Sequence, residues 1–353
     1  MVVTVLNRLN EDLKKKGCQP ITYCPQGYNK AWSGNGAELT ALKNLNDDIH
    51  IYWTGDDVNS PITQETVNFL KEKTNHDPDF WLNYPVNEHA KSGIYLGDIT
   101  YYARDNVTGL AGFHSNPSMI CINSNEVGLY QLASLVWNNN KYSEHANEIW
   151  ESAFNYLQPE VKDSYLTIAR NVANAPGSSR VPGFNESEYL KEKLDAVQKL
   201  VNAGKPIKEN EDAKAILAEF DNILNAVKDF EKNCANKNLV KELTPWLKSL
   251  NDVASAGKGA LESFDCFRKW RYYNGLDKTK QCKQILQHNV YLSYSRRFAE
   301  CICKSRKQET CAVCGKGNQC SKKSVNTDFK PGRHYNFTNI ICENGRSRSD
   351  RNC

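Results

Sequence analysis

The sequence predicts an α/β fold at the N-terminal end of the chain, an all-α region after it, and an irregular tail. Three observations predict this order. Near-continuous apolar runs alternate with amphipathic stretches over residues 1–130, as in parallel βα units. Residues 131–265 show only helical periodicity, and the composition changes abruptly after Asp265. We therefore divide the chain into three regions, 1–130, 131–265 and 266–353.

The first region predicts helices and strands in alternation. A helix over residues 4–16 is stopped by Gly17 and Pro20, and a second helical pattern covers "AELTALKNLNDD". Pro61 precedes a third helix, "ITQETVNFLKEKTN". The predicted strands are the short run "PITYCP" (20–25), "IHIYWTG" (49–55), "PDFWLNYP" (78–85) and "GIYLGDI" (93–99). This pattern predicts a parallel sheet or an α/β barrel.

The second region predicts a packed helical bundle rather than a cofactor site. One apolar stripe ends before Gly204 and Pro206, and a second follows a heptad pattern. The stripes are Leu190, Leu194, Val197 and Val201, and then Ile216, Phe220, Ile223, Val227 and Phe230.

The apolar runs and the start of the sequence are typical of neither a transmembrane helix nor a signal peptide. No run is long enough for a transmembrane helix, so we expect no membrane insertion. The start, "MVVTVLNRLNEDLKKK", has charges after its apolar stretch and is not a signal peptide. It is typical of the middle of a domain, and the cellular location stays open.

Polar and aromatic residues follow the predicted strands, where a barrel places its chemistry. They are Tyr28 in "CPQGY", Trp53, Thr54 and Asp56 in "IYWTGDDV", Asn83 and Glu88 in "WLNYPVNE", and Asn116 in a loop, "GFHSNP". Each motif alone is typical of ordinary strand-end capping. Together, aromatic faces beside amides and carboxylates suit a sugar, whose C–H face packs on a ring and whose hydroxyls need paired donors and acceptors.

At these motifs the chain resembles family 84 glycoside hydrolases, the β-N-acetylglucosaminidases that include bacterial hyaluronidase-like toxins and O-GlcNAc hydrolases. The resemblance covers residues 4–175 and, more loosely, the helices to about 260. It rests on "VLNRLNEDL", "CPQGY", "IYWTGDDV", "WLNYPVNE", "LAGFHSNP" and "VWNNNKYSEHANEIWESAF". It implies the C-terminal half of a TIM-type (β/α)8 barrel, followed by a helical bundle domain, and hydrolysis of β-linked N-acetylglucosamine.

The resemblance implies a role for each of five positions. Asn83 and Glu88 hold the outer hydroxyls of the sugar, Trp81 walls the pocket, Asn116 contacts hydroxyl or acetamido groups, and Tyr28 supports the reacting N-acetyl group. Position 88 is usually Asp in the family, and the extra methylene of Glu88 changes the reach of the carboxylate. The resemblance implies no cofactor and no metal.

The family mechanism is substrate-assisted and uses two adjacent aspartates, one to orient the acetamide and one to protonate the leaving oxygen. By the resemblance, that pair falls before Met1, together with the first four strands. The acidic doublets Glu11–Asp12, Asp47–Asp48 and Asp56–Asp57 are interpreted as solvated or capping residues. We therefore expect no catalysis by this chain alone, and expect a separate chain to supply the missing half-barrel if activity is restored. The alternative is a noncatalytic sugar-binding or interaction fragment.

The tail differs from the rest of the chain in charge and cysteine content. Residues 1–265 carry 26 basic and 35 acidic residues and four cysteines, whereas 266–353 carry 19 basic and six acidic residues and nine cysteines. Cys311, Cys314 and Cys320, with Cys301 and Cys303 nearby, suggest either a zinc-dependent nucleic-acid-binding module or a disulfide framework. We favour a third interpretation, translation out of frame, because codons shifted by one base can encode amphipathic segments at three places in the tail. On that interpretation the tail is disordered and no nucleic acid is bound.

Overall fold

The computed structural model describes residues 1–34, 36–86, 94–119, 121–172 and 186–273. The chain divides into two compact units, Met1–Val290 and Tyr291–Cys353, and the second lies wholly outside the described residues. The zinc and disulfide interpretations concern Cys301, Cys303, Cys311, Cys314 and Cys320, which also lie outside them. Of the tail predicted to be irregular and out of frame, the structure describes residues 266–273, which continue a helix that begins at Lys237.

Four parallel strands form one sheet in the order in which they occur along the chain. They are β1 (Thr22–Tyr23), β2 (His50–Trp53), β3 (Pro78–Pro85) and β4 (Gly112–Asn116). The register pairs Thr22 with His50, Tyr52 with Asp79, and Trp81 with His114. A register shift between Leu82 and Pro85 brings Asn116 opposite Pro85. The predicted α/β fold with a parallel sheet is confirmed.

Eight α-helices accompany the sheet in the described part of the chain. They are α1 (Val2–Lys15), α2 (Gln64–Thr74), α3 (Asn125–Trp137), α4 (Tyr142–Leu157), α5 (Lys162–Val172), α6 (Lys191–Asn202), α7 (Glu211–Asn233) and α8 (Lys237–Tyr273). The segment "AELTALKNLNDD" forms a 3-10 helix, Leu39–Asn44, rather than an α-helix. Two further 3-10 turns cover Pro159–Val161 and Glu188–Leu190.

Local signals explain where these helices begin and end. Thr63 accepts a hydrogen bond from the Thr66 N–H at the start of α2, and Asn210 does the same for Ala213 at the start of α7. Gly17 and Gly204 follow α1 and α6 with positive φ angles of 76° and 67°, which glycine adopts without steric cost.

The prediction of a strand over 93–99 is wrong for the described residues. Residues 94–99 form a buried irregular segment, because helix side chains satisfy its carbonyls instead of a neighbouring strand. Trp150 Nε1 donates to the Leu96 oxygen at 2.7 Å, and Gln131 Nε2 donates to the Gly97 oxygen at 3.0 Å. The fourth strand is instead Gly112–Asn116, which the sequence predicted to be a loop.

Two principal cores hold the fold together. The first packs α2, α3 and the 3-10 helix Leu39–Asn44 against one face of the sheet, through residues such as Ile51, Phe80 and Leu70. The second joins α4, α5, α7 and α8, with Phe154, Tyr165 and Phe230 at its centre. The predicted stripe of α7 is buried at Ile216, Ile223, Val227 and Phe230, as a helical bundle requires. No helix in the described ranges is long and apolar enough to cross a membrane.

Candidate functional site

The sheet has one apolar and one polar face, because side chains alternate along each strand. Trp53, Phe80, Leu82 and Tyr84 are buried in the first core, on the side that α2 covers. The alternate positions place the sequence-predicted Trp81 and Asn83 on the opposite face. This second face, which we call the inner face, is built in three layers along the strand direction.

The lowest layer of the inner face centres on a buried carboxylate. Asp79 is only 4 % exposed, its Oδ1 lies 2.8 Å from Nε2 of His114, and its Oδ2 lies 3.8 Å from Nδ1 of His50. Gly112 makes room for it, since a Cβ there would lie 2.3 Å from the Asp79 Oδ1. This layer closes the sheet face beneath the candidate site.

The middle layer is aromatic. The Tyr52 ring meets Trp81 edge-on at 5.5 Å and His114 edge-on at 5.0 Å between ring centroids. Burial, followed by the negative charge of Asp79, raises the pKa of the Tyr52 phenol. The phenol therefore stays neutral at physiological pH, and the Tyr52 and Trp81 rings form an aromatic floor that suits the C–H face of a sugar.

The top layer is a pair of amides at the carboxyl ends of β3 and β4. Asn116 Nδ2 donates to the Asn83 oxygen at 2.9 Å, and Asn83 Nδ2 donates to the Val58 carbonyl at 2.5 Å. Among the described residues, these bonds use one N–H and one lone pair of the Asn83 amide. An asparagine side chain offers two of each, so a second N–H and a second lone pair remain for a ligand hydroxyl.

The loop that follows β2 is fixed internally and orients the Asn83 amide. Thr54 Oγ1 donates to the Asp57 carbonyl at 2.8 Å, and Ser60 Oγ donates to the Thr54 carbonyl at 2.9 Å. Gly55, with φ of 94°, leaves no room for a side chain, since a Cβ would lie 2.3 Å from the Ser60 Oγ. The Val58 carbonyl that receives the Asn83 N–H is thus held in place before any ligand binds.

Tyr28 lies at the same edge of the sheet, after β1. Its carbonyl accepts a hydrogen bond from the Thr54 N–H at 2.9 Å, which continues the pairing of β1 and β2 beyond the strands. Its half-buried ring meets Trp32 edge-on at 5.0 Å, and Trp32 is 46 % exposed. Sequence reasoning did not single out Trp32, although a second aromatic residue four positions after Tyr28 is visible in the sequence.

The five sequence-predicted site residues have different outcomes. The structure joins Asn83 and Asn116 directly and places Trp81 one layer below them. Tyr28 follows β1, which β2 separates from β3, and Glu88 lies outside the described residues. Trp53, one of the aromatic residues at a predicted strand end, faces away from the site. Its Nε1 donates to Thr66 Oγ1 at 3.0 Å within the core.

The three acidic doublets have local partners. Asp12 pairs with Lys15 on α1 at 3.3 Å. Asp48 accepts a hydrogen bond from Asn10 Nδ2 at 2.9 Å, and Lys14 lowers the pKa of its carboxyl through a hydrogen bond. Asp57 Oδ1 accepts from the following Val58 N–H at 2.7 Å, and Asp56 lies 3.9 Å from Lys30 Nζ. In the described part of the chain, no His, Cys, Asp or Glu cluster of three or more is arranged to hold a metal.

The fold and this edge define an α/β domain with a carbohydrate-compatible site at the carboxyl ends of its parallel strands. Residues 1–170 match the family of beta-N-acetylglucosaminidases, which confirms the resemblance predicted from the sequence. This part of the chain therefore carries the pattern of a glycosidase family.

Solved structures share the fold. CpGH84D aligns with a TM-score of 0.72 and 23 % identity over 85 % of this chain and 48 % of its own. CpGH84B aligns with a TM-score of 0.65 and 21 % identity over 86 % of this chain and 50 % of its own. An O-GlcNAc hydrolase mutant of Thermobaculum terrenum aligns with a TM-score of 0.64 and 18 % identity over 87 % of this chain and 67 % of its own. The chain thus spans about half the length of the first two proteins.

Proposed function

We propose that this chain acts on β-linked N-acetylglucosamine glycosides, as the sugar-holding part of a glycosidase of the family that residues 1–170 match. The proposed contacts are Asn83 and Asn116 to hydroxyl or acetamido groups, Trp81 as the apolar wall, Glu88 to an outer hydroxyl, and Tyr28 beside the N-acetyl group. The whole assembly is proposed to be the C-terminal half of a (β/α)8 barrel with its helical domain.

The observation that carries the proposal is the amide pair at the strand ends. A monosaccharide hydroxyl both donates and accepts a hydrogen bond, and the Asn83 amide offers both functions beside the second amide of Asn116. The Val58 carbonyl already fixes the direction of the Asn83 amide, so sugar binding orders little additional structure. The aromatic layer below supplies the apolar contact that a pyranose ring needs.

We propose further that this chain holds the sugar without cleaving the glycosidic bond by itself. The family reaction requires one carboxyl group to orient the substrate acetamide and another to protonate the leaving oxygen. In the described ranges, the one acidic doublet at the carboxyl edge is Asp56–Asp57. Asp57 caps the backbone of its own loop, and Asp56 lies beside Lys30. Neither carboxylate is arranged as a matched acid and base.

The test is isothermal titration calorimetry of the full chain with N-acetylglucosamine, combined with an assay for nitrophenol release from 4-nitrophenyl N-acetylglucosaminide. We expect saturable binding and no release. Asn83→Ala and Asn116→Ala should each weaken binding roughly tenfold, since one or two net hydrogen bonds are worth about 1–2 kcal/mol.

The matched control is Asn222→Ala, which removes an exposed amide from α7 and should leave binding unchanged. Binding that survives both site variants would show that the sugar sits elsewhere. Release of nitrophenol by purified chain would instead contradict the absence of catalysis, while leaving the sugar site intact.

A further inference from the structure

Asn116 is the last residue of β4, where the pairing with β3 is irregular. The register shifts just before Pro85, and Pro85 has no N–H to donate to the neighbouring strand. The hydroxyl of the preceding Ser115 donates to the Tyr84 carbonyl at 2.7 Å. The direction of the Asn116 amide, which donates to the Asn83 oxygen at 2.9 Å, therefore also depends on what fixes the chain beyond the strand.

The side chain of Asn125 holds the backbone two residues after Asn116. The Ser118 N–H donates to Asn125 Oδ1 at 3.2 Å, and Asn125 Nδ2 donates to the Ser118 carbonyl at 2.8 Å. Asn125 and Ser118 are only 5 % and 3 % exposed. A side-chain amide that bonds both the N–H and the carbonyl of one residue does what a neighbouring strand would do. Asn125 thus extends the support of β4 past the end of the strand.

The turn between Ser118 and Asn125 is held from within and by the second core. Ser118 Oγ accepts from the Cys121 N–H at 3.2 Å, and Ser124 Oγ donates to the Cys121 carbonyl at 3.2 Å. The Cys121 side chain is 2 % exposed and packs in the second core, with residues of α5, α7 and α8. The turn is therefore attached to the helical region as well as to the sheet.

A carboxylate from α8 fixes the two residues that precede Asn125. Glu242 Oε2 accepts from the Asn123 N–H and from Asn123 Nδ2, both at 2.9 Å, and Glu242 Oε1 accepts from the Ser124 N–H at 2.8 Å. Since Asn123 and Ser124 lead directly into Asn125, the place of the Asn125 amide depends on α8. A series of hydrogen bonds and short backbone links thus joins α8 to the end of β4.

We infer that Asn125 and Glu242 are positioning residues for the Asn116 amide. Asn125 sets the path of the chain beyond β4, and Glu242 sets the place of Asn125. Because hydrogen bonds are best at about 2.7–3.2 Å, a small shift of the β4 end would loosen the bond between Asn116 and Asn83. The helical region is then part of what shapes the candidate site. The consequence for sugar affinity rests on the proposed function, whereas the placement of the Asn116 amide does not.

The experiment compares Asn125→Ala and Glu242→Gln in the full, isotope-labelled chain. Without sugar, the side-chain amide signals of Asn116 should shift in both variants, because the hydrogen bond of that amide changes. Calorimetry with N-acetylglucosamine should show binding weakened roughly three- to tenfold, the worth of about one net hydrogen bond. Gly257→Ala is the matched control. Its Cβ would lie 2.5 Å from the Phe220 ring in the α7–α8 packing, so it should lower stability but leave both readouts unchanged.

A double-mutant cycle separates positioning from general stability. If Glu242 acts through Asn116, Glu242→Gln should weaken binding no further in a chain that already carries Asn116→Ala. Losses of affinity that add would overturn the inference, and so would Asn116 signals that stay in place. Glu242→Gln keeps the shape of the side chain, so it decides the result where Asn125→Ala does not fold. If the wild-type chain binds no sugar, the proposed function fails, and the Asn116 signals alone decide the inference.

Discussion

Glu242 is predicted to hold the loop between β4 and α3 in place. Its Oε2 accepts hydrogen bonds from the Asn123 N–H and from Asn123 Nδ2, both at 2.9 Å, and its Oε1 accepts from the Ser124 N–H at 2.8 Å. Ser124 is the N-cap residue of α3, so the carboxylate also faces the positive end of that helix. The loop begins directly after Asn116, which links α8 to the candidate site.

Replacing Glu242 with Gln keeps the shape but removes the charge. The amide oxygen can still accept from one part of the loop, whereas the amide nitrogen faces an N–H that it cannot accept from. Hydrogen bonds to charged groups contribute about 1.5–3 kcal/mol each when well buried. Glu242 is half-buried, so we expect a loss of about 1–2 kcal/mol, which lowers Tm by roughly 2–8 °C for a domain of this size.

The assay is thermal unfolding followed by circular dichroism, together with hydrogen exchange at the amides of Asn123 and Ser124. Glu242→Gln should speed exchange at both amides. Glu262→Gln, on the same helix, is the matched control, because its exposed ion pair with Lys258 at 3.8 Å contributes little. Equal Tm values for the two variants, with unchanged exchange at residues 123 and 124, would refute the prediction that Glu242 holds this loop in place.

Three further predictions concern packing and protonation. Gly112→Ala places a Cβ 2.3 Å from the Asp79 Oδ1 and should destabilise the sheet by about 1–3 kcal/mol in urea unfolding; an unchanged midpoint would contradict this layer of the inner face. Gly257→Ala places a Cβ 2.5 Å from the Phe220 ring and should lower Tm. Gly259→Ala meets nothing within 4 Å and should raise stability by about 0.5–1 kcal/mol through helix propensity. A change of Tm in the same direction for both variants would refute the α7–α8 packing. Burial raises the pKa of Tyr95 to about 12, above the value near 10 of an unfolded tyrosine. The contribution of the neutral phenol to stability is therefore complete below pH 10 and is lost as pH rises from 10 to 12. Urea midpoints that stay constant over that range would count against the burial of Tyr95.

The sequence predicted those elements whose pattern is governed by local burial. The run 78–85 is a strand over that whole range, because its alternate residues enter the first core. The heptad stripe of α7 identified its core face for the same reason. β4 escaped prediction, because none of its residues is fully buried and its sequence, "GFHSN", is polar. The segment 94–99 misled in the opposite direction, since its apolar side chains are buried without strand pairing.

The sequence predicted which residue types lie at the candidate site, but not which of them contact one another. Residue types at strand ends identified Asn83 and Asn116, yet their mutual bond depends on the register shift between Leu82 and Pro85. The hydrogen bonds of Glu242 with Asn123 and Ser124 join positions that are more than a hundred residues apart in sequence, and no periodicity links those positions. The buried Asp79 between two histidines depends on strand order, which the sequence pattern left open.

Asn83 and Asn116 are proposed to hold an N-acetylglucosamine unit together. The most direct measurement is an NMR titration of the isotope-labelled full chain with that sugar, followed at the side-chain amide signals of asparagine. We expect the signals of Asn83 and Asn116 to shift together and to saturate with one dissociation constant, while the Asn222 signal stays in place. Unchanged signals for Asn83 and Asn116 at millimolar sugar would contradict it.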